Sequence, residues 1–107
     1  MAAKFSPSLM CMDLTRFREQ ITAMNGRADF YHVDIMDGSY VKNITLSLFF
    51  IENLKKITDV LIDVHLMVNH PEDIIPMCIE AGADIISFHP ETANNKIFRL
   101  LNQIKDA

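Results

Sequence analysis

Phe30-Tyr31-His32-Val33-Asp34-Ile35-Met36-Asp37-Gly38 and Val60-Leu61-Ile62-Asp63-Val64-His65-Leu66-Met67 are the stretches on which the fold turns. Each is short, rich in Ile, Val, Leu, Phe or Tyr, and bounded by turn-forming residues, the pattern of a strand. Working outward, further strand-like segments begin near Phe5 and Asp84, alongside those beginning near Asp29 and Val60. Helical spacing follows each one. Asp13 can cap a first helix, with Leu14, Phe17, Ile21 and Met24 on one face and Gly26 where a C-cap favours positive φ. Ser47 can cap a second, whose apolar face is Phe50, Leu54 and Ile57. A third follows Pro71 and ends at Gly82, with Ile75, Cys78 and Ile79 for packing. Pro76 fits it if the helix begins at Asp73 or later, which places the proline in the first turn. The fourth carries Ile97, Leu100, Leu101 and Ile104.

Strands alternating with helices imply an α/β fold whose parallel strands are joined by right-handed crossovers. VLIDVHL and DIISF read as apolar on both faces, as strands covered by helices should be. Four such units make either a small open sheet or half of a (βα)₈ barrel. A complete barrel takes about 250 residues, so a chain of 107, residues 1–107, reads as about half of one barrel domain.

In parallel α/β folds, ligands meet the C-terminal ends of the strands. There this sequence places Ser6-Pro7-Ser8, His32 to Gly38, Asp63 to Met67, and His89-Pro90-Glu91-Thr92. His32 and Asp34 are two apart and so share one face of a strand; Asp63 and His65 repeat the arrangement. Two imidazoles and a carboxylate from adjacent strands can converge on one divalent ion such as zinc, iron or manganese. The bland alternative is that His-x-Asp is a pair of hydrogen-bonded structural residues. Met10, Met36 and Met67 fall at the same rim, either as ordinary core filler or as an apolar collar that excludes water from a charged intermediate. His70 precedes a helix-opening proline and reads as an exposed loop residue. Lys55, Lys56 and Lys105 read as solvated helix faces.

Half the residues are hydrophobic and 22% are charged, so the chain can bury a core. A formal charge of −4 disfavours nucleic acid and anionic membrane as partners. No apolar run approaches the roughly 20 residues of a membrane span. Met1 to Phe5 lacks a signal-peptide core. Cys11 and Cys78 have neither metal-motif spacing nor disulfide-scaffold density, so they read as reduced thiols. The protein is expected to be cytoplasmic.

Ser6 to Leu14 (SPSLMCMDL), His32 to Ser47 (HVDIMDGSYVKNITLS), Asp63 to Val68 (DVHLMV) and His89 to Thr92 (HPET), in that order and spacing, resemble the ribulose-phosphate 3-epimerase family. Within it, the segments are most similar to those of the D-allulose-6-phosphate branch. The resemblance covers essentially the whole chain. It implies a (βα)₈ TIM barrel, of which about the first four βα units are present, that binds a phosphorylated ketose and inverts C3. It implies that His32, Asp34 and His65 are ligands of a divalent metal ion, whether zinc, iron, manganese or magnesium. It implies that Asp34 is also one of two acid/base carboxylates, and that Ser8, Met36, His65 and Met67 meet substrate. Ser39 and Lys42 depart from the family, which often has His and usually Pro at these loop positions. The second catalytic aspartate and the glycine-rich phosphate loops belong to later strands of the family barrel. None of Gly26, Gly38 and Gly82 can form that phosphate grip.

Related barrel enzymes, decarboxylases and hexulose-phosphate synthases, use Asp-x-Lys where this chain has Asp63-Val64-His65, which argues against them. The remaining alternative is a non-catalytic half-barrel that self-associates through its open strand edges. On either account a homo-oligomer is expected.

Overall fold

The computed structural model describes residues 2–107. A 3-10 turn, Leu14–Arg16, leads into α1 (Phe17–Met24), then β1 (Phe30–Met36), α2 (Leu48–Lys55), β2 (Leu61–Met67), α3 (Pro71–Ala81), β3 (Ile85–Phe88), α4 (Pro90–Ala93) and α5 (Ile97–Lys105). The strands form one parallel sheet in the order β1-β2-β3. This α/β arrangement is consistent with part of a (βα)₈ barrel.

Three of the four expected strands form as named strands. The segment from Phe5 to Leu9 lies parallel to β1 but makes only an isolated bridge, Ser8 to His32. The Leu9 N–H donates to the His32 carbonyl at 2.9 Å, and the His32 N–H donates to Pro7 O at 2.9 Å. Pro7 has no N–H to donate, which breaks the ladder before the Phe30 N–H meets the Phe5 carbonyl at 3.2 Å.

Alternation along β1 and β2 divides the sheet into two faces. Tyr31, Val33 and Ile35, with Ile62, Val64 and Leu66, are buried beneath Ile21, Ile51, Leu54, Ile75, Cys78 and Leu100 from the helices. Each such Leu or Ile contributes about 1.5–3 kcal/mol of burial. The opposite face carries the polar residues and is only partly covered, so VLIDVHL is not apolar-packed on both sides. β3 departs further: as an edge strand it leaves Ile85 exposed.

The helices also refine the reading. Asp13 caps the 3-10 turn by accepting from the Thr15 N–H at 3.0 Å, and Leu14 is exposed, outside the buried stripe. Gly26 does not adopt positive φ; Gly38 and Gly82 do. Ser47 caps α2 as expected, its Oγ accepting from the Phe50 N–H at 3.3 Å. α3 begins at Pro71, so Pro76 lies inside the helix and not in its first turn. There its ring leaves the Glu72 carbonyl without the usual i→i−4 donor. The expected fourth helix forms as α5, preceded by the short α4 and a 3-10 turn at Asn94–Lys96; within it Leu100 is buried while Leu101 is half exposed. Lys55 is no free surface cation: its Nζ donates to Asp84 Oδ2 at 2.8 Å, tying α2 to the entry of β3.

Tyr31 is buried beneath α1, and its hydroxyl donates to Asn25 Oδ1 at 2.9 Å. Burial pushes its phenol above the ordinary range. Among the described residues, no helix is long and apolar enough to cross a membrane.

Candidate metal centre

Parallel pairing of β1 with β2 sets His32 opposite Asp63, Asp34 opposite His65 and Met36 opposite Met67. These residues alternate with the buried Val33, Ile35, Val64 and Leu66, so the pleat turns them to the face that the helices leave open. The same strands that fix the core therefore fix the polar cluster.

His32 Nε2 lies 3.1 Å from Asp34 Oδ1, and His65 Nδ1 lies 3.1 Å from the same oxygen. One ligand atom from each of His32, Asp34 and His65 falls within 4.8 Å of the other two. Donors on one tetrahedral ion with bonds of about 2.0–2.2 Å stand roughly 3.4 Å apart, so the cluster has the dimensions of a divalent site. Two imidazole nitrogens and one carboxylate oxygen are a donor set suited to a borderline metal such as zinc. Asp34 is 8% exposed, so its charge sits where such an ion would offset the cost of burial.

Partners behind the three residues restrain them. His32 Nδ1 lies 3.1 Å from Asp63 Oδ2, the carboxylate–imidazole pairing that orients metal-binding histidines. His65 Nε2 lies 2.8 Å from His89 Nε2. The Ser8 hydroxyl donates to Asp34 Oδ2 at 3.4 Å, and the Thr45 hydroxyl donates to the Asp34 carbonyl at 2.8 Å.

Beyond the cluster, Met36 and Met67 end their strands side by side and are partly buried; Met10 is more exposed, on the turn after Leu9. Asp37 then ties two loops together. Its Oδ2 accepts from the Asn69 N–H at 2.8 Å, and its Oδ1 accepts from the Ser39 and Tyr40 N–H groups, each at 2.8 Å. The Asn69 amide, assisted by those of Tyr40 and Ser39, holds the Asp37 carboxyl below its ordinary range. Gly38 takes φ +77° in this turn, which only glycine adopts without strain. Ser39 is engaged as well, its Oγ accepting from the Asn69 amide at 2.6 Å. His70 lies at the start of α3, exposed and away from the cluster.

His32, Asp34 and His65 come together as their spacing leads us to expect, and Ser8, expected to meet substrate, lies beside Asp34. The cross-strand role of Asp63, the approach of His89 to His65 and the two-loop grip of Asp37 are not expected from the sequence. The opposed register of β1 and β2 carries the first of these, and no single-strand spacing reveals it.

Residues 4–107 match the family model described as the ribulose-phosphate 3 epimerase family. The chain is 40% identical over 106 residues to ribulose-phosphate 3-epimerase 2 of Cupriavidus necator, a match covering 98% of this chain and 44% of that protein. It is 41% identical over 102 residues to the chloroplastic ribulose-5-phosphate-3-epimerase of Arabidopsis thaliana, covering 94% of this chain and 36% of the relative. With ribulose-phosphate 3-epimerase of Bacillus subtilis it is 38% identical over 104 residues, 96% of this chain and 48% of that protein. The chain spans less than half the length of these curated relatives. With this agreement along nearly its whole length, the chain belongs to the ribulose-phosphate 3-epimerase family.

Proposed function

We propose that this chain supplies the N-terminal half of the (βα)₈ barrel of a ketose-phosphate 3-epimerase, and that His32, Asp34 and His65 are its divalent metal ligands. The observation that carries the reading is the convergence of these three side chains on the open face of β1 and β2, within a chain of this family. The substrate is D-ribulose 5-phosphate or D-allulose 6-phosphate. The names of the relatives favour the pentulose phosphate, and the SPSLMCMDL and HPET segments favour the hexulose phosphate.

The chemistry follows from the charge that must be managed. Taking the proton from C3 of a 2-ketose leaves an enediolate. A divalent ion held by His32, Asp34 and His65 supplies electrostatic stabilisation for that negative charge. Asp34 serves as an acid/base carboxylate, its free oxygen kept in place by Ser8. Met36 and Met67 flank the reacting carbons and exclude water from them. Inversion requires a second acid on the opposite face, which the family resemblance puts on a later strand, with the phosphate loops after it.

Asp34→Asn tests the assignment in the complete enzyme. It should lower turnover by at least about 10²–10⁴-fold, the share of one acid/base group, while substrate binding falls far less. Exchange of the C3 proton with solvent should disappear with turnover. Near-normal turnover would show that another carboxylate does the work.

A second reading, a self-associating half-barrel without turnover, is favoured by the open edge of β3 and by the exposure of Phe98, Leu101 and Phe5. Metal content and phosphate affinity of the purified protein separate the two.

A further inference from the structure

The proposed metal site leaves the HPET segment without a role, yet His89 makes the shortest side-chain contact to either proposed histidine ligand. His89 follows β3 and is the N-cap residue of α4, and its carbonyl accepts from the Thr92 N–H at 3.1 Å and the Thr92 hydroxyl at 2.7 Å. Its Nε2 lies 2.8 Å from His65 Nε2, with ring centroids 5.0 Å apart. On its other side, Nδ1 lies 3.3 Å from Glu91 Oε1, which also accepts the Tyr40 hydroxyl at 2.5 Å. The Tyr40 ring packs against His89 with centroids 5.2 Å apart.

We propose that His89, held by Glu91 and Tyr40, is a positioning residue that fixes the ring of His65 for metal binding; this rests on His65 being a ligand through Nδ1. Proton accounting leaves one arrangement. With Nδ1 committed to the ion, the single proton of a neutral His65 ring sits on Nε2. That N–H donates to His89 Nε2, which must then present its lone pair and carry its own proton on Nδ1. His89 Nδ1–H then faces Glu91 Oε1 at 3.3 Å, an ion-pair distance. Every donor in the series faces an acceptor, and the series ends on a carboxylate.

The two proposed histidine ligands are thereby treated alike. His32 is backed directly by the Asp63 carboxylate, and His65 is backed through His89 by Glu91. Such outer partners fix ring orientation and raise ligand basicity, and their loss costs about 10–100-fold in metal affinity. Tyr40 comes from the loop after β1, so the series also joins that loop to the end of β3.

Cobalt(II) titration of the full chain, read by d–d absorption, tests this. Parent cobalt binding that is lost in Asp34→Asn establishes the site. His89→Phe, which keeps a ring but removes the acceptor, should weaken cobalt affinity about 10–100-fold and change the d–d band. His89→Gln, whose side-chain oxygen can accept the same proton, should restore most of the affinity. Thermal midpoints of the metal-free variants should agree with one another. If His89→Phe binds cobalt as the parent does while Asp34→Asn does not, the positioning role is overturned and the metal site stands. A loss in His89→Phe that His89→Gln does not restore assigns His89 to packing alone and also overturns the proposal. A parent chain that takes up no cobalt overturns the metal reading, and the positioning role with it.

Discussion

Asp34 on β1 and His65 on β2 are directly opposed in the parallel ladder, with Asp34 Oδ1 standing 3.1 Å from His65 Nδ1. Nothing local to either strand brings them together. The register does, and it is held from the opposite face by Val33, Ile35, Val64 and Leu66 in the core. A slip of one residue would turn the polar cluster into the core and the aliphatic residues out of it. Core packing and the proposed chemistry thus depend on the same alignment.

Asp63 is expected to matter through His32. Asp63→Ala removes the acceptor at 3.1 Å from His32 Nδ1 and should weaken divalent-metal affinity about 10–100-fold. Asp63→Asn keeps a neutral oxygen acceptor and should lie between Ala and the parent. Competition against a chelator measures the order; equal affinities in all three would remove Asp63 from the account.

Asp37 makes an acid-side prediction. Backbone N–H groups from Asn69, Tyr40 and Ser39 stabilise its ionised form, so its folded pKa lies below the unfolded value of about 3.9. A depressed carboxylate contributes its stabilisation fully above the unfolded value and loses it as pH falls through the folded one. The amide resonances of Ser39, Tyr40 and Asn69 should therefore move together through one transition below pH of about 3.9. In Asp37→Asn that shared transition should be absent. Separate midpoints for the two loops would show that Asp37 does not join them.

Much of this was legible in the sequence, and the exceptions have physical causes. The i, i+2 spacing of His32 and Asp34 declares a shared face, and His65 follows from the same logic on β2. Ser47 and Gly82 mark helix ends because a hydroxyl at an N-cap and an αL glycine at a C-cap are strong local signals. Phe5 to Leu9 misleads because its apolar content suits a strand while Pro7 withholds a ladder donor. Pro76 misleads because packing of Ile75 and Cys78 outweighs the loss of one helical hydrogen bond. His89 and Glu91 were visible at the rim, but their contacts with His65 and Tyr40 join residues far apart in the chain, and spacing carries no such information.

Open edges give a prediction about association. Among the described residues the outer edge of β3 has no partner strand, and an apolar cleft lined by Ile86, Phe88, Ile97 and Leu101 lies beside it. A second cleft, lined by Phe5, Pro7, Met24 and Ala28, lies beside the bridged N-terminal segment. Unpaired edges with apolar flanks are templates for another strand. The 107 residues expressed by themselves should therefore self-associate, and should not turn over ketose phosphates if, as the proposed function requires, the opposing acid and the phosphate loops come from later strands. Sedimentation and a coupled epimerase assay check both parts. A compact monomer with measurable activity would refute them.

Anomalous diffraction at the zinc edge, from crystals of the protein grown with zinc, locates the proposed metal site without reference to activity. One strong peak is expected on the open face of β1 and β2, at about 2.0–2.2 Å from His32 Nε2, Asp34 Oδ1 and His65 Nδ1. A peak bound elsewhere, or His32 and His65 rings turned away from a vacant cluster in the presence of saturating zinc, would contradict it.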